Sequence, residues 1–310
     1  MKLNKPNFWS SKLNFFTFLL LPISILTLFY VFLKKKFSKQ IKFNIPIICI
    51  GNIYIGGTGK TPTSILIAKE LLNLKKRPVI VRKFYEDHKD EHDLIKGNFD
   101  NLILNKNRVS GIRIAEEKNF NVAILDDGFQ EYRIKSSLNI ICFNSEQLIG
   151  NGFVLPSGPL RESLNALINA HIVLINGEKN IGFEKKILNI NKNLKIFYSY
   201  YKPINFTNFK NKKFLAISGI GNPENFFKLA EKNHLQIEEK LIFPDHYNFS
   251  YNEIKEIIDK AKKKNLQIIM TEKDYYKINH FKFKELNFLK ISLEINNKEE
   301  FLKIIEGINA

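Results

Sequence analysis

Three glycines, a lysine and a threonine stand close enough together to hold a phosphate. In the run Tyr54-Ile55-Gly56-Gly57-Thr58-Gly59-Lys60-Thr61, the glycines free the backbone to curl so that successive N–H groups point inward. Lys60 adds a mobile positive charge, and Thr61 can place its hydroxyl on a magnesium ion. The apolar segment Pro46-Ile47-Ile48-Cys49-Ile50 comes before the loop and a helical pattern begins at Pro62. A strand, a glycine turn and a helix N-terminus in that order favour the charge of a nucleotide phosphate. The usual spacing of such a loop has one more glycine, at the place where Tyr54 stands.

An acidic pair supplies the other half of this chemistry. Val122-Ala123-Ile124-Leu125 reads as an apolar strand ending in Asp126-Asp127-Gly128. Opposite a phosphate loop, one carboxylate can hold magnesium directly or through water while the other orients it. The charge-dense run Glu86-Asp87-His88-Lys89-Asp90-Glu91-His92-Asp93 reads as a solvated loop. It nevertheless follows the strand Val79-Ile80-Val81, and ligands of a parallel sheet gather beyond the carboxyl ends of its strands. Leu155-Pro156-Ser157-Gly158-Pro159 fixes a turn ahead of Arg161 and Glu162, which read either as a phosphate or metal contact or as a surface ion pair. In Pro244-Asp245-His246-Tyr247 an imidazole that titrates near neutrality has a carboxylate beside it, which makes His246 the best histidine for proton transfer. Cys49 and Cys142 lie inside apolar runs and read as buried thiols, with no disulfide framework and no cysteine metal spacing, as suits a reducing compartment.

The elements that must position these groups follow from pattern. With 310 residues, 44% of them hydrophobic, the chain can build two domains, each with its own core. Short β-rich runs alternate with helical stretches through 77–81, 101–104, 122–125, 138–143 and 171–175, a rhythm that implies crossovers and a mainly parallel sheet with helices on both faces. Periodicity fades from Phe197 to Lys213, which reads as a connection. A second, smaller α/β domain then opens with the strand 214–217, a helix over 223–232 and a strand over 239–243. A helix begun by the capping box Ser250-Tyr251-Asn252-Glu253 follows, then a strand over 266–270, a strand over 288–293 and a helix over 298–305. The expected division is 1–40, a membrane-associated helix with its basic flank; 41–205, the phosphate-loop domain; and 206–310, the smaller domain.

From Leu13 to Leu33 the chain carries no charge. As a helix this stretch of about 21 residues reaches about 30 Å, the thickness of bilayer hydrocarbon. No small-residue cleavage site follows; instead come Lys34, Lys35, Lys36, Lys39 and Lys42, which favours a cytoplasmic place for the rest of the chain. A spanning helix and one that lies on the membrane both fit. The net charge of +17 suits an anionic lipid surface or a phosphorylated substrate. Nucleic acid is not expected, because the lysines are scattered and no recognition module is present.

Six blocks in order, GNIYIGGTGKTP, DDGFQEYR, LPSGPLRE, SGIGNPENFF, FPDHYNFS and TEKDYYK, resemble one family, the tetraacyldisaccharide 4'-kinases, lipid A 4'-kinases of Gram-negative bacteria. That family's phosphate loop also lacks the first glycine. The resemblance implies a P-loop kinase-like fold and ATP-dependent phosphorylation of the 4'-hydroxyl of a tetraacylated glucosamine disaccharide 1-phosphate at the cytoplasmic face of the inner membrane. It implies ATP and Mg2+ as cofactors and a lipid A precursor and an anionic membrane surface as partners, with no obligate protein partner. By correspondence, Lys60 and Thr61 serve the ATP phosphates and magnesium. Asp126, Asp127 and Glu162 belong to the metal site, the last beside Arg161. Asp90, with Asp87 as the alternative, works with His246 to activate the sugar hydroxyl. The run Arg82-Lys83-Phe84-Tyr85 stands where the family has Arg-Gly-Tyr-Gly, and Lys89 and His92 replace a glycine and a proline around the acid. The rival reading is a membrane-docked P-loop ATPase or switch with no lipid acceptor.

Overall fold

The computed structural model describes residues 5–10, 14–245 and 247–308, with the Asp87 side chain left aside. The described chain runs α1 (Phe15–Phe37), β1 (Ile47–Gly51), α2 (Lys60–Asn73), β2 (Pro78–Lys83), α3 (Lys89–Lys96), β3 (Leu102–Asn105), α4 (Arg108–Glu117), β4 (Val122–Asp126), β5 (Leu138–Asn144), β6 (Ile172–Asn176), α5 (Ile181–Leu188) and β7 (Lys195–Pro203). It continues with β8 (Lys213–Ser218), α6 (Pro223–Lys232), β9 (Gln236–Ile242), α7 (Tyr251–Lys263), β10 (Gln267–Thr271), α8 (Glu272–Ile278), β11 (Leu286–Leu289), β12 (Ile291–Ile295) and α9 (Lys298–Glu306).

These elements form two compact units that are discontinuous in sequence. The smaller holds Tyr85–Asp100 and Tyr201–Leu293; the larger takes the described residues up to Phe84, then Asn101–Tyr200, then those from Glu294 onward. The eight-stranded sheet, most of which belongs to the larger unit, has the order β12-β7-β6-β5-β1-β4-β2-β3, and β1 pairs in parallel with both β4 and β5. The chain leaves β1 toward β2 on one side and reaches β5 on the other, so the carboxyl end of β1 lies at the switch point where open α/β sheets bind ligands. The strands are apolar on both faces because both are covered. Ile141, Phe143, Val173 and Ile175 pack with Phe183 and Ile187 of α5, while Cys49, Val81, Ala123 and Leu125 pack with Ile112 and Ala115 of α4. The smaller unit has the sheet β11-β10-β8-β9, whose neighbouring strands all run parallel. The mainly parallel α/β architecture with a second sheet and an N-terminal apolar helix is therefore present.

Three segments differ from expectation. Residues 195–203 form a strand whose buried Phe197 and Ser199 alternate with less buried neighbours; the tyrosines hide a period of two. The run 288–293 breaks at Lys290 into β11 and β12, which belong to different sheets. The charged run after β2 is helical rather than a loop, and α3 buries Asp90, His92 and Ile95. Asp90 and Glu91 fall in the first turn and Lys96 in the last, the arrangement a helix dipole favours.

Helix α1 is turned inside out relative to a soluble helix. Its buried residues are the polar Thr17 and Ser24, while Leu19, Leu26, Phe29 and Phe32 are each more than half exposed. Ser24 donates to the carbonyl of Val154 (2.9 Å), and its Oγ shares a hydrogen bond with Ser157 Oγ (2.8 Å). Asn151 reaches Thr17 Oγ1 (3.4 Å), and Lys34 Nζ reaches the carbonyl of Gln130 (3.4 Å).

Candidate active site

The phosphate loop owes its shape to three glycines with positive φ, Gly56 (73°), Gly57 (59°) and Gly59 (87°), a region that side chains other than glycine occupy with strain. Gly59 stands at the N-cap of α2, and the helix begins at Lys60. Thr61 and Ser64, one turn apart on α2, converge on the fully buried Asp126: Thr61 Oγ1 donates to Oδ2 at 3.1 Å and Ser64 Oγ to Oδ1 at 3.0 Å. Register explains why Asp126 is there. It lies opposite Ile50 of β1 on one side and opposite Arg82 of β2 on the other. Arg82 Nη1 donates to Asp126 Oδ2 and also lies 3.3 Å from Thr61 Oγ1.

Asp127 turns off the strand end with φ 59° and gathers the remaining cations. Lys60 Nζ is 3.5 Å and Arg161 Nη1 2.9 Å from its Oδ1, and Arg108 Nη2 donates to its carbonyl at 2.6 Å. Burial raises the Asp127 carboxyl, but Lys60, Arg161, Arg108 and Arg82 outweigh it and hold the group well below the usual carboxylate range. Burial lowers the Lys60 ammonium below its ordinary value, opposed in part by Asp127. The result is an ionised carboxylate holding a concentrated positive surface, which suits a polyphosphate.

Glu162 is linked to Asp127 through Gln130 and Arg161. Its carboxylate accepts from Gln130 Nε2 (2.8 Å) and from the Tyr132 hydroxyl (3.0 Å), and burial raises it against those two hydrogen bonds. Gln130 also donates to the carbonyl of Asn52 (2.9 Å), next to the loop.

Magnesium takes oxygen ligands, commonly one or two carboxylates together with phosphates and water. Thr61 Oγ1 and Asp126 Oδ2 offer two such oxygens 3.1 Å apart, and the Arg82 guanidinium on both of them marks a point where positive charge is already stabilised. These donors fit the ion. Among the described residues no group of three or more His, Cys, Asp or Glu gathers to hold a metal by itself.

In the smaller unit, Asp90 is buried on α3 and faces two lysines of α8, Lys273 Nζ at 3.6 Å and Lys277 Nζ at 3.7 Å from Oδ2. Lys273 also reaches Asp245 Oδ1 (3.1 Å), the residue before His246. His246 lies outside the described residues, as does the side chain of Asp87. Sequence reasoning did not single out Arg82, Arg108, Ser64, Lys273 or Lys277. The two lysines stood inside the quoted TEKDYYK block, and Arg82 at the strand end was the available signal for the guanidinium. Nothing in the pattern signalled Arg108.

The model of the tetraacyldisaccharide-1-P 4'-kinase family matches residues 16–309. The chain belongs to this family. It is 41% identical to the tetraacyldisaccharide 4'-kinase of Pelagibacter ubique over 314 residues, covering 100% of this chain and 99% of the relative. It is 34% identical to that of Rickettsia canadensis, covering 96% and 95%. Its fold matches the crystal structure of LpxK from Aquifex aeolicus in complex with ATP, with TM-score 0.72 and 23% identity over 94% of this chain and 98% of that one. The family that the six blocks resemble is thus the family of the chain, and the family is one of kinases.

Proposed function

We propose that this chain transfers the γ-phosphoryl group of ATP to the 4'-hydroxyl of a tetraacylated glucosamine disaccharide 1-phosphate, the activity its family is named for. The observation that carries this reading is the convergence of Lys60, Thr61, Asp126 and Asp127 at the carboxyl end of β1, in a chain similar to named 4'-kinases over its whole length.

The loop N–H groups and Lys60 bind the β- and γ-phosphates, and Arg161 and Arg108 add charge beside Asp127. Thr61 and Asp126 would hold Mg2+, with Asp127 orienting Lys60 and Arg161; when bound, the ion neutralises charge on the β- and γ-oxygens. In the transfer, the 4'-oxygen forms a bond to the γ-phosphorus while the bond to the β-bridging oxygen of ADP breaks. The hydroxyl proton passes to Asp90 working with His246, a pairing that rests on the family resemblance. Glu162, held by Gln130 and Tyr132, would be a further group of the metal site by family correspondence.

The test is acceptor dependence. Purified protein with ATP, Mg2+ and the tetraacyldisaccharide 1-phosphate should release ADP in a one-to-one ratio with 4'-phosphorylated lipid, and should release little without the lipid. ADP release that ignores the lipid would instead mark a P-loop ATPase.

Helix α1 supports a place at the membrane. Thr17, Ser24 and Lys34 all bond to other segments of the larger unit, so protein flanks the helix for about 25 Å at 1.5 Å per residue. Irregular, hydrated backbone is not tolerated at lipid depth, which favours a helix lying in the interface with its exposed apolar side toward the cytoplasmic leaflet. Leu19→Glu, Leu26→Glu and Phe29→Glu together should release the protein from anionic vesicles in sedimentation while leaving its melting temperature within a few degrees. Labels placed at Phe16 and at Phe37 should be equally accessible from the cytoplasmic side, whereas a spanning helix would protect one end.

A further inference from the structure

The TEKDYYK block has no role in the reaction described above, yet it is among the most tightly bonded parts of the smaller unit. Helix α8 is capped by Thr271, whose Oγ1 accepts from the N–H of Asp274 (3.1 Å). Asp274 has no exposed surface, and its Oδ2 accepts from the N–H of Gly219 (2.8 Å) and from Thr271 Oγ1 (2.7 Å). Lys277 is held between Asp274 Oδ1 (2.8 Å) and the carbonyl of Gly219 (3.1 Å). A carboxylate, a hydroxyl and both sides of a glycine peptide therefore fix the base of α8 before either lysine reaches anything else.

From that base the lysines face α3. They are four residues apart and so share one side of α8, and both lie near the same oxygen of Asp90. Lys273 goes further, to Glu91 Oε1 (3.5 Å) and Asp245 Oδ1 (3.1 Å). The docking of α3 is close elsewhere too. Asn98 Nδ2 donates to Glu272 Oε1 (2.9 Å), and a Cβ on Gly97 would fall 1.8 Å from the Tyr276 hydroxyl. Side-chain exposure is 15% at Lys273 and 3% at Asp90, so the contact is made with little water to screen it.

We propose that Lys273 is a positioning residue that holds the Asp90 and Asp245 carboxylates in one arrangement, with Lys277 fixing the side of α8 from which it acts. This rests on the reading of Asp90 and His246 as the proton-accepting pair. An ammonium between two carboxylates on separate segments restrains both, and a misplacement of about 1 Å costs about 100-fold in rate.

The experiment compares Lys273→Met, Lys273→Arg and Asp90→Asn in the full-length protein, with ATP, Mg2+ and the lipid acceptor. Lys273→Met should lower kcat about 10- to 100-fold with KM for ATP unchanged, and Lys273→Arg, which keeps the charge and the reach, should regain most of the loss. Wild-type kcat in Lys273→Met beside an inactive Asp90→Asn overturns the positioning role and leaves the base reading standing. Wild-type kcat in Asp90→Asn overturns the base reading itself. A fall in melting temperature for Lys273→Met, with a loss that follows the folded fraction and no rescue by arginine, makes the lysine structural and also overturns the proposal.

Discussion

Replacing Lys60 with alanine is expected to lower kcat by about 1,000-fold, the scale of removing a preorganised charge from the group that becomes more negative in the transition state. The protein should remain folded. Lys60 is one of several cations on Asp127, and its loss leaves Arg161 at 2.9 Å from the same carboxylate oxygen and Arg108 on the adjoining carbonyl. The carboxylate is therefore not stranded, and the 3–5 kcal/mol cost of about that order seen when a buried pair loses its only partner does not apply. Removing Lys60 also takes away a buried ammonium whose charged form burial disfavours. The measurement is steady-state phosphorylation of the lipid acceptor beside thermal unfolding. A folded Lys60→Ala enzyme with wild-type kcat would remove the lysine from the mechanism.

Asp90→Asn should lower kcat by about 100- to 10,000-fold, the range for loss of a positioned general base, while ATP binding measured by calorimetry stays unchanged. Asparagine keeps the shape and can still accept through its carbonyl oxygen the N–H of Glu91 that Asp90 Oδ1 accepts at 2.9 Å. The lysines are not left alone: Lys273 keeps Asp245 and Glu91, and Lys277 keeps Asp274. Folding should survive for that reason. Asp87 is the alternative acid, and a dead Asp87→Asn variant beside an active Asp90→Asn would transfer the role to it.

The P-loop and the acid strand were legible because their chemistry is local. Glycines at Gly56, Gly57 and Gly59 fix a backbone path with little help from the rest of the chain, and a strand that ends in Asp126-Asp127 delivers both acids to the same edge of the sheet. The capping box at Ser250 and Glu253 is likewise present in full, since its two hydrogen bonds join residues three apart. The strand at 195–203 was not legible, because its tyrosines on the exposed face mask alternation. Nor was α3, whose charges suggest solvent until Asp90 meets two lysines from a segment more than 180 residues away in the chain.

Sequence by itself determined the family, the phosphate loop, the paired acids and the apolar N-terminal helix, since each is written in contiguous residues whose spacing carries the chemistry. Tertiary structure decided which neighbours those groups have. Strand register put Arg82 on Asp126, the turn after β4 gathered Lys60, Arg108 and Arg161 at Asp127, and the docking of α3 on α8 set Asp90 against Lys273 and Lys277. It also turned Thr17 and Ser24 of α1 inward and its large apolar side chains outward. Composition gives a helix its apolar character, but only packing says which side faces the protein.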